Sequence, residues 1–177
     1  DAFVTENLKK GFIQPSQSAY AAVPFQVAKK GTEERRTVVD YRGLNAITKK
    51  SRYPLPNMEE LFDRLHGARY FSKLDLRTGF HQIRIHPDDT HKTAFRTARG
   101  LYEYLVLAMG LCNAPGTFMQ LMNETFSDML NTSVLVFLDD IIVYSRTLEE
   151  HDRHVYAVLQ RLKEQKLYAK KSKCALY

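Results

Sequence analysis

The segment that most constrains the fold is residues 134–145, VLVFLDDIIVYS, in which two adjacent aspartates interrupt an apolar, β-branched run. Its flanks are typical of buried strands, so the segment predicts a β-hairpin. Asp-Asp is compatible with an ordinary turn, but the commonest tight-turn signals contain Gly or Asn. Burying two neighbouring, unpaired charges is costly, and a divalent cation with oxygen ligands would remove that cost. We therefore favour a functional carboxylate pair, Asp139 and Asp140, over a simple turn.

A third acid occurs in SKLDLRTGF (72–80), where Asp75 lies near the end of a predicted strand. The Arg-Thr-Gly turn that follows can offer backbone N–H groups to phosphate oxygens. The 64 positions from Asp75 to Asp139 contain a long predicted helix, which is enough chain to return beside the first strand. Three carboxylates converging at strand ends predict a two-metal site for phosphoryl transfer, because such a metal pair activates an attacking hydroxyl and stabilises the leaving oxygen.

The composition of the 177 residues is that of an ordinary globular protein, and the net charge of +6 favours a polyanionic partner. No apolar run reaches the ~20 residues that cross a bilayer, and the first residues lack the order of a secretory signal, so we expect no membrane partner. Cys112 and Cys174 lack disulfide-framework or zinc spacing and are expected to be reduced, intracellular thiols. The stretch EEHDRH, with His151 and His154, is expected to form a solvated helix face rather than a ligand pair.

The periodicities along the chain predict an α+β layer with helices on one face. Strands are expected where apolar residues alternate, and helices where they recur every three or four positions. The predicted strands are 22–28 and 37–42 (a β-ribbon around the charged connector 29–36), 69–76, 80–87, 92–97 and 100–107. The predicted helices are a short one capped by Asn57, one within 113–130, and one within 148–171 with an apolar stripe of Val155, Val158, Leu159 and Leu162.

Six collinear stretches between residues 38 and 174 together resemble the reverse transcriptases of gypsy-type long-terminal-repeat retrotransposons, and the resemblance extends over nearly the whole chain from about residue 8. They are VVDYRGLN, YPLPNMEELFDRLHGARYFSKLDLRTGFHQIRI, KTAFRT, GLYEYLVLAMGLCNAPGTFMQLMN, FLDDIIVYS and LYAKKSKC. The resemblance implies the right-hand polymerase fold, an α+β fold whose antiparallel palm sheet has helices packed on one face. It implies fingers at 1–50 and 80–115, and palm at 51–79 and 116–177.

Carried over by motif, the resemblance implies that Asp75, Asp139 and Asp140 are catalytic ligands of two Mg²⁺ ions, for which Mn²⁺ can substitute. The backbone carbonyl of Leu76 is implied as a further ligand. Phe80 resembles the aromatic steric gate that clashes with a 2′-hydroxyl and so selects deoxynucleotides. Without the resemblance, Phe80 would be interpreted as an ordinary strand aromatic.

Five further positions resemble nucleotide-binding residues of the family. Arg36 resembles the fingers arginine that contacts the incoming triphosphate, and Lys30, or its neighbour Lys29, resembles a second cation there; unaided, such a charged loop is usually a solvated tip. Met109 and Gly110 resemble the loop that packs against nucleotide and template. Lys173 resembles a lysine near the pyrophosphate or primer, with a plain surface lysine as the alternative.

The sequence departs from the family in two loops and at its end. LAMG (107–110) replaces the usual Met-Pro-Phe-Gly, which is expected to change the shape of that loop without touching a metal ligand. GTEER replaces a short Asp-Gly-Ser-Trp type of turn, which is expected to alter the mobility of the fingers tip and its affinity for nucleotide. The chain ends at Tyr177, so we expect a fingers–palm fragment without thumb, connection and ribonuclease H. On this basis we expect weak or no synthesis by the isolated chain, and surfaces open to self-association.

The resemblance implies an RNA-directed DNA polymerase that adds deoxynucleotides to a primer 3′-hydroxyl on an RNA or DNA template. Its partners would be primer–template, deoxynucleoside triphosphates and the remaining polyprotein domains, in the cytoplasm within a virus-like particle or in the nucleus. An alternative is a non-catalytic, retrotransposon-derived module that binds nucleic acid or protein. Such a role does not require Asp75, Asp139 and Asp140, whose charges are costly to bring together. An RNA-dependent RNA polymerase is disfavoured by the bulk of Phe80.

Overall fold

A computed structural model describes residues 2–28, 31 and 35–177. The elements are, in order, α1 Ala2–Lys9, β1 Ile13–Pro15, β2 Val23–Ala28, β3 Arg35–Asp40, α2 Arg42–Ile47, α3 Met58–Arg64, β4 Tyr70–Asp75, β5 Phe95–Thr97, β6 Gly100–Tyr104, α4 Ala114–Thr125, β7 Val134–Phe137, β8 Asp140–Ser145 and α5 Leu148–Glu164. Short 3₁₀ helices occupy Gly79–Gln82, Pro87–Thr93 and Lys171–Lys173. No helix in the described ranges is long and apolar enough to cross a membrane.

The chain forms two compact units, each built from two separate segments. The first unit comprises residues 1–50 and 80–114, and the second comprises 51–79 and 115–177. The first contains a three-stranded sheet in the order β1-β6-β5 and the antiparallel ribbon β2-β3. Its core is largely aromatic and β-branched, because short strands need large side chains to bury enough apolar surface. The buried residues are Val4, Ile13, Val39, Tyr41, Phe95, Tyr102, Tyr104, Val106 and Ala108.

The predicted ribbon is confirmed. β2 pairs antiparallel with β3 from Val23 opposite Asp40 to Ala28 opposite Arg35, so β3 begins two residues earlier than the pattern indicated. The predicted cations Lys29 and Lys30 lie outside the described residues.

The predicted strand at 80–87 is wrong. Residues Gly79–Gln82 form a 3₁₀ turn, and the following segment pairs at a single position, Arg84 opposite Val106. Two hydrogen bonds hold it there, from the Ile85 N–H to Leu105 and from the Leu107 N–H to Ile83. Ile83 and Ile85 are both half-buried with exposed Arg84 between them, as their alternation indicates, but a strand also needs a partner that continues alongside it.

The second unit contains an antiparallel sheet in the order β4-β8-β7. The hairpin predicted for 134–145 is confirmed: β7 and β8 pair from Val134 opposite Val143 to Phe137 opposite Asp140. The predicted strand at 69–76 is confirmed as β4, which pairs with β8 from Tyr70 opposite Ser145 to Asp75 opposite Asp140. Alternation gives this sheet one face of buried residues, namely Ser72, Leu74, Ile141, Val143 and Ser145.

The three predicted helices of the second unit are present, but α4 ends at Thr125 and α5 at Glu164, before the ends of the predicted ranges 113–130 and 148–171. Asn57 caps α3 through its side-chain oxygen, which accepts the Glu59 N–H at 3.1 Å. α4 buries Phe118, Met119 and Met122, so its methionines belong to the core.

α5 corrects two expectations. Val155, Val158 and Leu162 are buried, but Leu159 is 43% exposed. The expected solvated face at EEHDRH is wrong for His151, which is completely buried on the same stripe as those three residues. The reason is that the apolar stripe extends one turn further toward the helix start, with a histidine at its first position.

A C-terminal segment (residues 168–177) lies along the free edge of β4. Lys73 and Ala175 exchange both backbone hydrogen bonds, at 2.7 and 2.9 Å. Further along, the Lys170 N–H donates to the Asp75 carbonyl and the Arg77 N–H to the Tyr168 carbonyl, both at 2.8 Å. The edge of β4 is therefore covered by its own chain, and the backbone on both sides of Asp75 is held in place.

Candidate active site

The two hairpin aspartates occupy different positions, because the two-residue turn is Leu138–Asp139 and Asp140 already begins β8. Leu138 has φ = 53°, in the left-handed region that a branched side chain rarely adopts. The Leu138 N–H donates to the sulfur of Met119 on α4, with 3.3 Å between nitrogen and sulfur, so α4 supports the turn. Such a conformation costs about 1–3 kcal/mol and persists only where surrounding contacts impose it.

Asp75 lies directly opposite Asp140 across the β4–β8 pair. The Leu76 N–H donates to the Asp139 carbonyl at 3.3 Å, which makes Asp75 and Asp140 a non-hydrogen-bonded pair. In such pairs the Cα atoms approach to about 4.5 Å and the side chains are close. Two carboxylates in this arrangement repel each other, so the pairing requires a cation nearby.

Two lysines supply the positive charge. Lys73 Nζ lies 2.7 Å from Asp140 Oδ2, and Lys173 Nζ lies 3.1 Å from Asp75 Oδ2. The Asp75 side chain is only 14% exposed. Asp139, in contrast, is exposed at the turn. The hydrogen bond to Asp140 raises the pKa of Lys73 above its usual value, with smaller contributions from Asp75 and Asp139.

The donor chemistry of this cluster fits a hard divalent cation, because Asp75, Asp139 and Asp140 all offer carboxylate oxygens. Two ammonium groups already lie against two of these carboxylates, which shows that the cluster attracts cations. Across residues 2–28, 31 and 35–177, however, no three acidic, His or Cys side chains are arranged as a ready metal site. If these carboxylates gathered around a metal ion, the ion would displace the ammonium groups of Lys73 and Lys173 from Asp140 and Asp75.

The backbone beside the cluster is closely packed. A Cβ atom added at Gly79 would lie 3.2 Å from the Asp139 Cβ and 3.5 Å from the Phe118 ring, so Gly79 permits the turn to approach. Leu76 is buried and forms an isolated antiparallel β-bridge with Ala169 of the C-terminal segment. The structure thus brings Asp75, Leu76, Asp139, Asp140 and Lys173 together, and their shared role stays a prediction.

Other predicted site residues belong to the first unit. Gly110 has φ = 102°, and a Cβ there would lie 3.5 Å from the Val39 carbonyl oxygen. The Asn45 amide donates to the Gly110 carbonyl at 2.8 Å. Gly110 lines an open cavity of about 660 Å³, together with Phe25, Asp40 and Arg42.

The remaining predicted residues of that unit are placed as follows. Met109 is 51% exposed. Arg36 is exposed on β3, opposite Val27 of the ribbon. Phe80 is half-buried in the 3₁₀ turn Gly79–Gln82, five positions after Asp75.

The sequence predictions missed Lys73 and a buried polar cluster. Lys73 is two positions before Asp75, and strand alternation alone would have placed both side chains on one face. The polar cluster centres on His151, whose Nε2 lies 2.7 Å from Ser72 Oγ and whose Nδ1 lies 3.0 Å from Ser145 Oγ. It joins α5 to β4 and β8, the two strands that carry Asp75 and Asp140. The signal for it was the position of His151 at the start of an apolar helical stripe.

Comparison with known proteins identifies relatives along almost the whole chain. Residues 27–177 match the family model described as reverse transcriptase (RNA-dependent DNA polymerase). The chain is 43% identical over 175 residues to the retrovirus-related Pol polyprotein from transposon 297 of Drosophila melanogaster, and 39% identical over 175 residues to the transposon Tf2-3 polyprotein of Schizosaccharomyces pombe. These alignments cover 97% and 98% of the chain but only 16% and 13% of the relatives' length.

The fold also has solved counterparts. A foamy viral protease-reverse transcriptase in complex with an RNA/DNA hybrid matches with a TM-score of 0.89 at 24% identity, over 98% of this chain and 23% of that one. A form of the foamy viral enzyme in complex with double-stranded DNA matches with a TM-score of 0.90 at 24% identity, over 98% of this chain and 30% of that one. These matches confirm the predicted α+β fingers–palm fold of right-hand polymerases. Together with the family model and the transposon relatives, they establish that the chain belongs to the reverse transcriptase (RNA-dependent DNA polymerase) family.

Proposed function

We propose that this chain is the fingers–palm part of an RNA-directed DNA polymerase that adds deoxynucleotides to a primer 3′-hydroxyl. The observation that carries the proposal is the register of β4 against β8, which puts Asp75 opposite Asp140 with Asp139 at the adjoining turn. Three carboxylates at one sheet end are costly for a binding module and are required for two-metal phosphoryl transfer. Membership of the family supports the assignment.

Reverse transcriptases as a family imply dependence on divalent metal ions. For this chain we propose two Mg²⁺ ions, replaceable by Mn²⁺, held by Asp75, Asp139, Asp140 and the Leu76 carbonyl. When bound, these ions would lower the pKa of the attacking hydroxyl and neutralise charge on the leaving oxygens. The chain's own contribution is to hold Asp139 and Asp140 on a hairpin whose turn is contacted by α4, and Asp75 on β4, whose edge the C-terminal segment covers.

We assign residues 1–50 and 80–115 to fingers, and 51–79 and 116–177 to palm. In support, the two compact units of the structure divide the chain within one residue of these boundaries. Arg36 would bind the triphosphate, with Lys30 as a second cation.

Phe80 would act as the steric gate against ribonucleotides. Met109 and Gly110 would pack against nucleotide and template; the open cavity beside Gly110 and its crowded backbone support this role. Lys173 would act near the pyrophosphate or primer, and its position 3.1 Å from Asp75 supports a place beside the reacting groups.

The proposed partners are an RNA or DNA template with its primer, deoxynucleoside triphosphates, and thumb, connection and ribonuclease H domains of a polyprotein. Binding to the primer–template is expected to weaken steeply with salt, because phosphate contacts release counterions. The net charge of +6 supports a polyanionic partner. An intracellular location, cytoplasmic or nuclear, stays a prediction from the resemblance.

Primer extension tests the proposal, using a protein in which a thumb and the remaining domains accompany this chain. Asp139→Asn should abolish extension with little change in folding, because Asp139 is exposed. Asp63→Asn is the matched control, since Asp63 is an exposed aspartate on α3 of the same unit. Full activity of Asp139→Asn would refute the catalytic role and leave the interaction module as the better explanation. In the same assay, Phe80→Ala should admit ribonucleotides, and Arg36→Ala should raise the KM for deoxynucleotides.

A further inference from the structure

Lys73 is fixed beside the acidic cluster by its own backbone. Its N–H and C=O both pair with Ala175, at 2.7 and 2.9 Å, so the strand cannot slide relative to the C-terminal segment. Its side chain is on the Asp75 face of β4 and reaches diagonally across to Asp140 on β8, where Nζ lies 2.7 Å from Oδ2. A lysine at this position is therefore built into the sheet rather than placed there by a mobile loop.

The charges explain why a cation is needed at this point. Asp75 and Asp140 form a close cross-strand pair of like charges, with Asp139 next in the chain. Lys73 neutralises Asp140 and Lys173 neutralises Asp75, while Asp139 makes no ion pair among the described residues. An ammonium group donates to the same lone pairs of Asp140 Oδ2 that a divalent cation would use.

We propose that Lys73 is a positioning residue for Asp140, an internal counter-cation that competes with divalent metal for Asp140 Oδ2. It holds Asp140 in place when metal is absent and is displaced from that oxygen when metal binds. The inference rests on the proposed metal role of the three aspartates. It goes further because it assigns a function to a residue outside the ligand set and predicts that this residue weakens metal binding.

The alternative is an ordinary surface ion pair. Both side chains are partly exposed, at 49% and 36%, and such pairs add little to stability. If the ion pair only stabilised the fold, breaking it would leave the affinity for metal unchanged or would lower that affinity. A competing counter-cation predicts the opposite, because its removal frees one carboxylate oxygen and takes away a positive charge that repels the metal.

The test measures Mn²⁺ binding to the chain itself, without primer or nucleotide, by the loss of the electron paramagnetic resonance signal of free Mn²⁺. Lys73→Met removes the charge and keeps much of the side-chain length. Lys73→Arg restores the charge, and Lys163→Met, at an exposed position of α5, controls for net charge. We expect Lys73→Met to lower the Kd for Mn²⁺ by about threefold at physiological salt and more at low salt. Lys73→Arg and Lys163→Met should stay within about 1.5-fold of the parent chain.

The outcomes separate this inference from the proposed function. Binding that is unchanged or weaker in Lys73→Met, in a chain that does bind Mn²⁺, overturns the role of Lys73 and leaves the aspartate site intact. Two results would overturn the metal site itself, and the role of Lys73 with it. One is that no variant binds Mn²⁺, and the other is that the double variant Asp75→Asn with Asp139→Asn still binds it. Far-ultraviolet circular dichroism of each variant checks folding, and tighter binding by a folded Lys73→Met chain supports the inference.

Discussion

Replacing His151 with Ala should destabilise the unit that carries the three aspartates more than any exposed substitution in it. The ring is completely buried, and it hydrogen-bonds Ser72 at 2.7 Å and Ser145 at 3.0 Å. It also packs edge-on against Tyr177, with ring centroids 4.9 Å apart. His151 therefore connects four parts of the unit: α5, β4, β8 and the C-terminal segment.

The expected loss is about 3–5 kcal/mol of unfolding free energy. Each hydrogen bond contributes about 1 kcal/mol and the aromatic contact about 0.5–1.5 kcal/mol. The cavity left by a buried ring adds about 1–2 kcal/mol. The loss is limited because Ser145 keeps its 2.8 Å hydrogen bond to His154, and Ser72 still accepts the Tyr177 N–H at 3.3 Å.

The assay is urea unfolding followed by far-ultraviolet circular dichroism, with amide hydrogen exchange of Leu74 and Val143 reporting on this unit alone. His154→Ala is the matched control, one helical turn away, half-buried, with one hydrogen bond to Ser145. It should cost about 1 kcal/mol. A loss below about 1.5 kcal/mol for His151→Ala, or one equal to that of His154→Ala, would refute the view that this cluster holds the strands together.

Three further predictions concern other positions. Burial lowers the pKa of His151 and of His81, and the charge of Lys10 adds to the effect at His81. As the pH falls below the usual histidine pKa of 6.5, the unfolded chain therefore binds more protons than the folded chain. Stability should therefore be full above pH 6.5 and fall as the pH drops below it in urea titrations, and a flat profile would contradict this. Gly110→Ala should cost about 1–2 kcal/mol in thermal unfolding, because φ = 102° is strained for any residue with a Cβ; a neutral result would mean that the loop relaxes. Asn57→Ala should cost about 1 kcal/mol and speed amide exchange at Glu59, whereas Asn57→Asp should preserve both.

Local patterns predicted the features that depend on neighbouring residues. The apolar flanks of Asp139 and Asp140 specify two strands, and the acids between them leave a turn as the only place where at least one carboxylate stays hydrated. Asn57 before an acidic first turn indicates the start of a helix, and this signal does not depend on which residues pack against the helix. Motif resemblance added the identities of the site residues, which no periodicity could supply.

Periodicity failed where a distant partner decides the outcome. Ile83 and Ile85 alternate as in a strand, yet only Arg84 finds a bridge, opposite Val106. His151 has the polarity of a solvated residue, but buried hydroxyls of Ser72 and Ser145 satisfy its ring. The first error arose because a pairing partner 22 positions away is invisible to a local window. In the second, the helical stripe was a local signal for burial, but the hydroxyl of Ser72 that makes this burial tolerable is 79 positions away.

By itself, the sequence determined the hairpin, the capped helix, the strand that ends at Asp75 and the family to which the chain belongs. Tertiary structure decided how the charges are used: that Asp75 faces Asp140, that Lys73 and Lys173 neutralise them, and that residues 168–177 cover the edge of β4. The physical reason is range. Propensity and alternation act over a few residues, whereas cross-strand register and ion pairing are set by contacts between distant segments, such as Lys173 and Asp75, which are 98 positions apart.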